Sequence, residues 1–346
     1  MKKILLSTII LLNGAAFAVD PSMQCCIPYE KPFPAIQNCR DYNLMGFGEF
    51  IYWRFSAPTF AYARSGVDDA GVTETGTAFL PNFKYNPGFR VGVEIKYGAK
   101  KAFDLVAQYT WLYSNPHSSI SGSPIGNAFT PDNFLNSPTL DTNTYTFASL
   151  KLNLHFNYAE IQSGYSFPIN RYFALRPFIA LTSYIFEGDL RAQYEFTSTP
   201  APDTFEIAKT HGKFNSWSIG PKTGLDVIYH ITENWGIFSN FNITQQITNI
   251  TAKSIQITET PATGESIIVQ NGRLQQLRNI GLFGLEIGPT WDEWFCCDKY
   301  HVYVRATYGA STLTAGANLS FLNSSNLDLG VNGEFRGLNV RGLFEF

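Results

Sequence analysis

The residues able to do chemistry in this 346-residue chain are sparse and arranged in a particular way. Charged side chains recur at every second position inside apolar stretches, as in Phe89-Arg90-Val91-Gly92-Val93-Glu94-Ile95-Lys96-Tyr97. Such spacing suits a strand with one wet and one greasy face, and no catalytic cluster. The five histidines, His117, His155, His211, His230 and His301, are scattered. No Gly-rich phosphate loop, His-x-x-x-His pair or Gly-x-Ser-x-Gly elbow occurs, so the sequence points to no enzyme, no cofactor and no catalytic residue. An outer-envelope protease or lipase assembled only in space is the enzymatic alternative.

Five cysteines, Cys25, Cys26, Cys39, Cys296 and Cys297, make up the remaining reactive set. Adjacent Cys-Cys pairs lack the two-to-four-residue separation of zinc motifs, so no metal is expected. In an oxidising compartment they are disulfide candidates, and an odd number leaves one thiol for a second protein.

The N-terminus sets that compartment. Lys2 and Lys3, the apolar run Ile4 to Leu12 and the Ala16-Phe17-Ala18 triplet read as a secretory signal peptide over 1-18. The run is too short for a spanning helix, which needs about 20 apolar residues. Without the signal, 23 basic residues face 28 acidic ones, and no basic patch suggests nucleic acid. Aromatic residues make up 15% of the chain and charged residues only 15%, against roughly 25% charged in a typical soluble domain. A secreted chain with few charges, many aromatics and no apolar run of helical span suits a membrane barrel better than a soluble β-sandwich.

The elements positioning those charges are ten period-2 segments near 43-55, 87-98, 102-114, 144-167, 172-194, 214-230, 235-256, 275-291, 299-313 and 333-346. Most exceed the about 9–11 residues a tilted strand needs to cross a bilayer. Long connections near 56-86, 115-143, 195-213, 257-274 and 314-332 alternate with short ones near 99-101, 168-171, 231-234 and 292-298. Outer-membrane barrels have an even strand number, short periplasmic turns and long external loops. The expected fold is therefore all-β: a transmembrane antiparallel up-and-down barrel of about ten strands over 43-346, after a periplasmic Cys-containing extension over 19-42. All five cysteines fall on the periplasmic side.

Register assigns faces. Phe89, Val91, Val93, Ile95 and Tyr97 take the lipid, as do Trp217, Ile219, Leu225, Val227 and Tyr229, which oppose Ser218, Gly220, Lys222, Gly224 and Asp226. Leu150, Leu152, Leu154, Phe156 and Tyr158 are likewise expected outside, opposite Lys151, Asn153, His155 and Asn157. That phase would then put Glu160 and Gln162 into lipid, so a β-bulge between Tyr158 and Glu160 is expected. Strand 43-55, with Glu49 on the face of Phe47, Ile51 and Trp53, is not assigned. Arg90, Glu94, Lys96, Lys151, Glu160, Arg176, Lys222, Asp226, Glu286, Arg305, Arg341 and Glu345 form the expected lumen lining, joined by His155 and His301. Ten strands imply a narrow or partly plugged lumen, and mixed signs imply weak ion selectivity. The uncharged loop near 115-143 is suited either to an inward constriction or to an outward contact surface. The last strand ends on Phe346, whose terminal aromatic resembles the assembly signal read by the barrel assembly machinery.

Several stretches resemble the Legionella-type major outer membrane protein family, also found among chlamydia-like bacteria. They are Gly48-Glu49-Phe50-Ile51-Tyr52-Trp53-Arg54 with Phe60-Ala61-Tyr62-Ala63, Pro87-Gly88-Phe89-Arg90-Val91-Gly92, Ala174-Leu175-Arg176-Pro177-Phe178, Ser218-Ile219-Gly220-Pro221-Lys222-Thr223-Gly224-Leu225 and Trp294-Phe295-Cys296-Cys297-Asp298-Lys299-Tyr300-His301. The resemblance implies an abundant, porin-like protein of the outer membrane. The expected function is a narrow, weakly selective diffusion channel for small hydrophilic solutes and ions. The alternative is a structural or adhesive protein whose barrel presents surface loops without conducting. Expected partners are outer-membrane lipid, small solutes and disulfide-linked envelope proteins, with homo-oligomerisation left open.

Overall fold

The computed structural model describes residues 42–57, 60–65, 77–98, 102–127, 145–197, 205–295, 300–314 and 333–345. The expected signal peptide over 1-18, the expected 19-42 extension up to residue 41, all five cysteines and Phe346 lie outside the described residues.

Alternating side chains produce long strands: β1 (Tyr42–Ser56), β2 (Ala63–Ser65), β3 (Ala78–Phe79), β4 (Tyr85–Tyr97), β5 (Phe103–Ser114), β6 (His117–Asn127), β7 (Tyr145–Tyr165), β8 (Phe167–Pro168), β9 (Phe173–Thr197), β10 (Phe205–His230), β11 (Trp235–Thr260), β12 (Glu265–Phe295), β13 (Tyr300–Thr314) and β14 (Glu334–Glu345). Ten of them form a closed antiparallel ring in the order β1, β4, β5, β7, β9, β10, β11, β12, β13, β14. Closure comes from β1 against β14, where Met45 faces Glu345 and Ser56 faces Glu334. A closed ring leaves no unpaired edge in lipid, which is why a barrel can span a bilayer. Each of the ten expected strands has its counterpart in this ring, with ends within a few residues except where β10 and β12 start earlier and β11 runs later.

The outer surface is an apolar belt with exposed side chains such as Ile179 (70%), Ile161 (58%) and Leu285 (54%). On β10 the belt runs from Tyr229 to Trp217, roughly 40 Å along the strand and about 30 Å once tilted as in membrane barrels. Beyond Trp217 the outward residues turn polar: Asn215, Lys213 and His211 on β10, and Glu187, Asp189 and Arg191 on β9. Strands β9 to β12 thus continue above the membrane. The expected long loop at 257-274 is mostly strand, closed by a turn over 261–264 in which Gly264 takes φ +70°, a left-handed conformation suited to glycine.

The phase of β7 differs from the expectation. Leu150 and Leu152 are 0% exposed and Leu154 is 2% exposed; all three point inward, whereas Lys151 and His155 are exposed on the outer surface. The strand pairs without interruption from Phe147 to Gly164, so no bulge separates Tyr158 from Glu160. An unbroken even-numbered face carries leucines at one end and Glu160 and Gln162 at the other. Lys151 therefore does not line the lumen, nor does His155. Leucine can face inward because the external end of the barrel is filled with apolar side chains.

That filling comes partly from the first long connection. Phe60, Tyr62, Ala63 and Phe83 are buried against Phe55, Phe214, Phe335 and the β7 leucines. Hydrogen bonds pin the segment: Tyr62 N donates to Phe79 O (2.9 Å), and Tyr194 Oη donates to Tyr62 O (2.7 Å). The 115-143 stretch divides differently. Its first part forms β6, which pairs with β7 where β5 has ended, while 128–144 lies outside the described residues. Among the described residues, the inward-folding parts of the long connections are thus 60–63 and Phe83 of the first one.

Candidate functional site

The lumen has two chemically distinct storeys. The lower one, toward the short turns, is an ion-paired chamber, and cross-strand register builds it. Glu49 on β1 lies directly opposite Arg90 on β4 and Arg341 on β14. Arg90 Nη1 donates to Glu49 Oε1 (2.6 Å), and Arg341 Nε donates to Glu49 Oε2 (2.6 Å). Arg305, opposite Arg341 on β13, places Nη2 3.9 Å from Glu49 and 3.8 Å from Glu286. Glu286 also accepts hydrogen bonds from Thr307 and from Asn339 Nδ2 (3.0 Å). The Glu49 carboxylate is wholly enclosed, so its charge is sustained by these guanidiniums rather than by solvent.

Across the chamber the same rule repeats. Arg176 and Asp226 are cross-strand partners on β9 and β10, with Nη1 2.6 Å from Oδ2. Arg176 also donates from Nε and Nη2 to Asp104 of β5. Gly164 makes room for it: a Cβ there would lie 2.7 Å from the guanidinium. Lys222 donates to Glu160 (2.9 Å), which also accepts from Tyr158 Oη (2.6 Å). Flat faces of Phe238 and Phe47 lie 3.9 Å and 4.2 Å from the Arg305 and Arg341 guanidiniums, adding cation–π attraction. Nearer the short-turn mouth, Lys96 Nζ lies 3.7 Å from Glu94, and Glu345 lies 3.6 Å from His301 Nδ1.

These groups surround a cavity of about 310 Å³ lined by Arg90, Glu94, Lys96, Asp104, Glu160, Arg176, Lys222, Asp226, Glu286, Arg305 and Arg341. Above it the upper storey closes. Phe55 and Phe335 rings are centred 4.8 Å apart, Phe156 and Phe335 4.9 Å, and Phe186 and Phe214 5.4 Å. A small apolar cavity of about 60 Å³ sits among them. In this conformation a phenylalanine ceiling caps the charged chamber.

Of the twelve side chains expected to line the lumen, the structure turns Lys151 outward and the other eleven inward. The assignment missed Glu49 and Asp104. Strand 43-55 is apolar on both faces, so periodicity could not orient it; Phe47, Glu49, Ile51 and Trp53 prove to point inward. The signal was present in Glu49 itself, since a carboxylate at that depth needs a polar neighbour. With these two added, acidic and basic groups in the lumen nearly balance.

Among solved structures the chain is similar to the outer membrane protease OmpT from Escherichia coli, at 9% identity over 88% of this chain and 97% of that one, with a TM-score of 0.44. It is also similar to a major outer membrane protein from Thermus thermophilus, at 7% identity over 89% of this chain and 100% of that one (TM-score 0.29). The Pseudomonas putida toluene transporter TodX matches at 7% identity over 88% and 89% (TM-score 0.27). No curated protein matches the chain. Residues 41–342 match the family model described as the Legionella pneumophila major outer membrane protein precursor. With a ten-stranded barrel under that match, the chain belongs to the Legionella major outer membrane protein family and crosses the outer membrane with its strands.

Proposed function

We propose that this protein is an outer-membrane porin of small bore, admitting small hydrophilic solutes and ions through the charged chamber when the phenylalanine ceiling opens. The observation that carries the reading is the chamber itself. An anchor needs only a filled barrel, yet here a cavity of about 310 Å³ remains among the paired charges. Near-equal numbers of each sign imply weak ion selectivity. A bore this small excludes large solutes; wide aqueous channels take 16 to 18 strands.

The Phe55, Phe335 and Phe156 contacts favour a second reading, a closed barrel that presents its external strands without conducting. Planar-bilayer recording of the wild type beside Phe55→Ala/Phe335→Ala separates the two. The porin reading expects brief, small openings in the wild type and larger or longer ones in the variant. Absence of channels in the wild type across salt and voltage, whatever the variant does, rejects it.

Cross-linking into the envelope belongs to the same proposal. It rests on β1 beginning at Tyr42 and β12 ending at Phe295, both at the short-turn end, with Cys39 and the Cys296-Cys297 pair close by in sequence. Non-reducing electrophoresis of intact envelopes is expected to show species that collapse to monomer with reductant; an unchanged monomer band rejects it.

A further inference from the structure

Above the apolar belt, β7 and β9 to β12 carry an outward cationic surface that the lumen does not use. Register sets Lys213 of β10 directly opposite Lys253 of β11, and Lys253 directly opposite Arg273 of β12. The next outward row places Lys151, Arg191 and His211 side by side. Like charges facing each other across strands repel, so such rows cost stability unless something neutralises them. Asp189 supplies part of the answer: Arg191 and His211 lie 3.2 Å from it and Lys213 3.8 Å. Glu187, one outward row below, is held by Asn215 Nδ2 (2.9 Å). Lys209, farther up, is paired with Glu259 (2.6 Å). Among the described residues, Lys151, Lys253 and Arg273 meet no carboxylate within salt-bridge distance, and all three are exposed.

Depth identifies the missing counter-charge. Lys213 lies four residues beyond Trp217, which is about 14 Å along the strand and about 10 Å along the membrane normal after tilt. That height is the headgroup layer, just outside a hydrocarbon core about 30 Å thick. The lipid-facing belt resumes at Trp217, Ile185 and Leu277, two outward rows beneath and just past the polar row of Glu187, Asn215, Thr251 and Gln275. An occupant must be anionic, sit at headgroup height and present an acyl body to the belt.

We propose that this rim binds the phosphate-bearing headgroup of an outer-leaflet glycolipid, with Lys213, Lys253 and Arg273 as the primary phosphate contacts and Lys151 and Arg191 flanking them. Arginine forks and lysine ammonium groups both suit phosphate oxygens. The proposal is independent of whether the lumen conducts.

The test uses the full, refolded chain and native mass spectrometry of its complexes with diphosphorylated lipid A, fully dephosphorylated lipid A and inorganic phosphate. Heat-modifiable electrophoretic mobility reports folding of every variant. Diphosphorylated lipid is expected to bind at least about tenfold more tightly than its dephosphorylated counterpart, as expected where each surface cation adds about one kT or more. Lys213→Gln/Lys253→Gln/Arg273→Gln is expected to remove most of that preference, while Lys213→Arg/Lys253→Arg/Arg273→Lys retains it. Should the triple neutral variant not assemble, the exposed single changes Lys213→Gln and Lys253→Gln carry the same comparison with smaller losses. Equal binding of the two lipids, or a preference untouched by neutralisation, overturns the proposal. So does inorganic phosphate binding as tightly as the lipid, which would make the rim a site for soluble anions.

Discussion

Glu49→Gln is the sharpest perturbation of the lumen, because one enclosed carboxylate answers three arginines. Two contacts are 2.6 Å and the third is 3.9 Å. At an effective dielectric constant of about 20, each short contact is worth roughly 6 kcal/mol of gross attraction, most of which offsets burial of the charges. The amide keeps the shape and one acceptor but leaves Arg90, Arg341 and Arg305 facing each other with Glu286 as their remaining nearby carboxylate. Removing one partner of a buried pair costs about 3–5 kcal/mol, so a loss in that range is expected. Equilibrium urea unfolding in detergent, followed by tryptophan fluorescence, measures it. Adding Arg341→Gln is expected to recover part of the loss, since it removes an unpaired cation. An unfolding free energy within 1 kcal/mol of wild type, on the order of an exposed ion pair, would refute the claim that Glu49 organises the chamber.

Other consequences of the fold are equally open to measurement. Leu181, 55% exposed on the belt, is expected to lose about 2–4 kcal/mol on substitution by Arg, as lipid-facing cations do near the midplane. An Arg in place of Gln108, which lines the cavity opposite Glu160, is expected to alter conductance instead, and identical stability losses at the two sites would contradict the face assignment. Cysteine introduced at Lys151 is expected to react on intact cells with a membrane-impermeant maleimide too bulky for the lumen, whereas one at Leu152 stays protected; protection of the Lys151 site would favour the original phase of β7. At Gly220 a Cβ would lie 2.0 Å from Gln245 O, so Gly220→Ala should slow assembly and lower the melting temperature, and a neutral result would mean that β10 and β11 can separate there. Tyr194→Phe removes the buried hydrogen bond to Tyr62 O and is expected to cost about 1–2 kcal/mol while exposing the 60–65 segment to protease; unchanged protease resistance there would argue against that pin.

Strand number, strand order and most of the lining were legible in the residues themselves. The Phe89 to Tyr97 segment needs no neighbour to orient it, because aliphatic residues on one side and Arg90, Glu94 and Lys96 on the other leave a single arrangement in a membrane. Lys222 and Asp226 opposite Trp217, Ile219 and Val227 read the same way. The 150–158 segment did not. Its leucine face and its Lys151, Asn153, His155 and Asn157 face are as well separated, yet the leucines point inward. Alternation distinguishes two faces but does not say which solvent each one meets.

Two tertiary facts supplied that answer, and neither is local to β7. Strands β7, β9 and β10 rise above the belt, so Lys151 and His155 can face outward into water rather than lipid. Described parts of the first long connection fold into the barrel, bringing Phe60 and Phe83 into one apolar cluster with Phe55, Phe214 and Leu152 and making the upper interior apolar. The sequence by itself thus determined a ten-stranded membrane barrel with a charged face, because local alternation and connection length set strand number and pairing. Only the tertiary structure decided where the charge ends and the phenylalanine ceiling begins, because that depends on how far each strand rises and what the first connection brings inside.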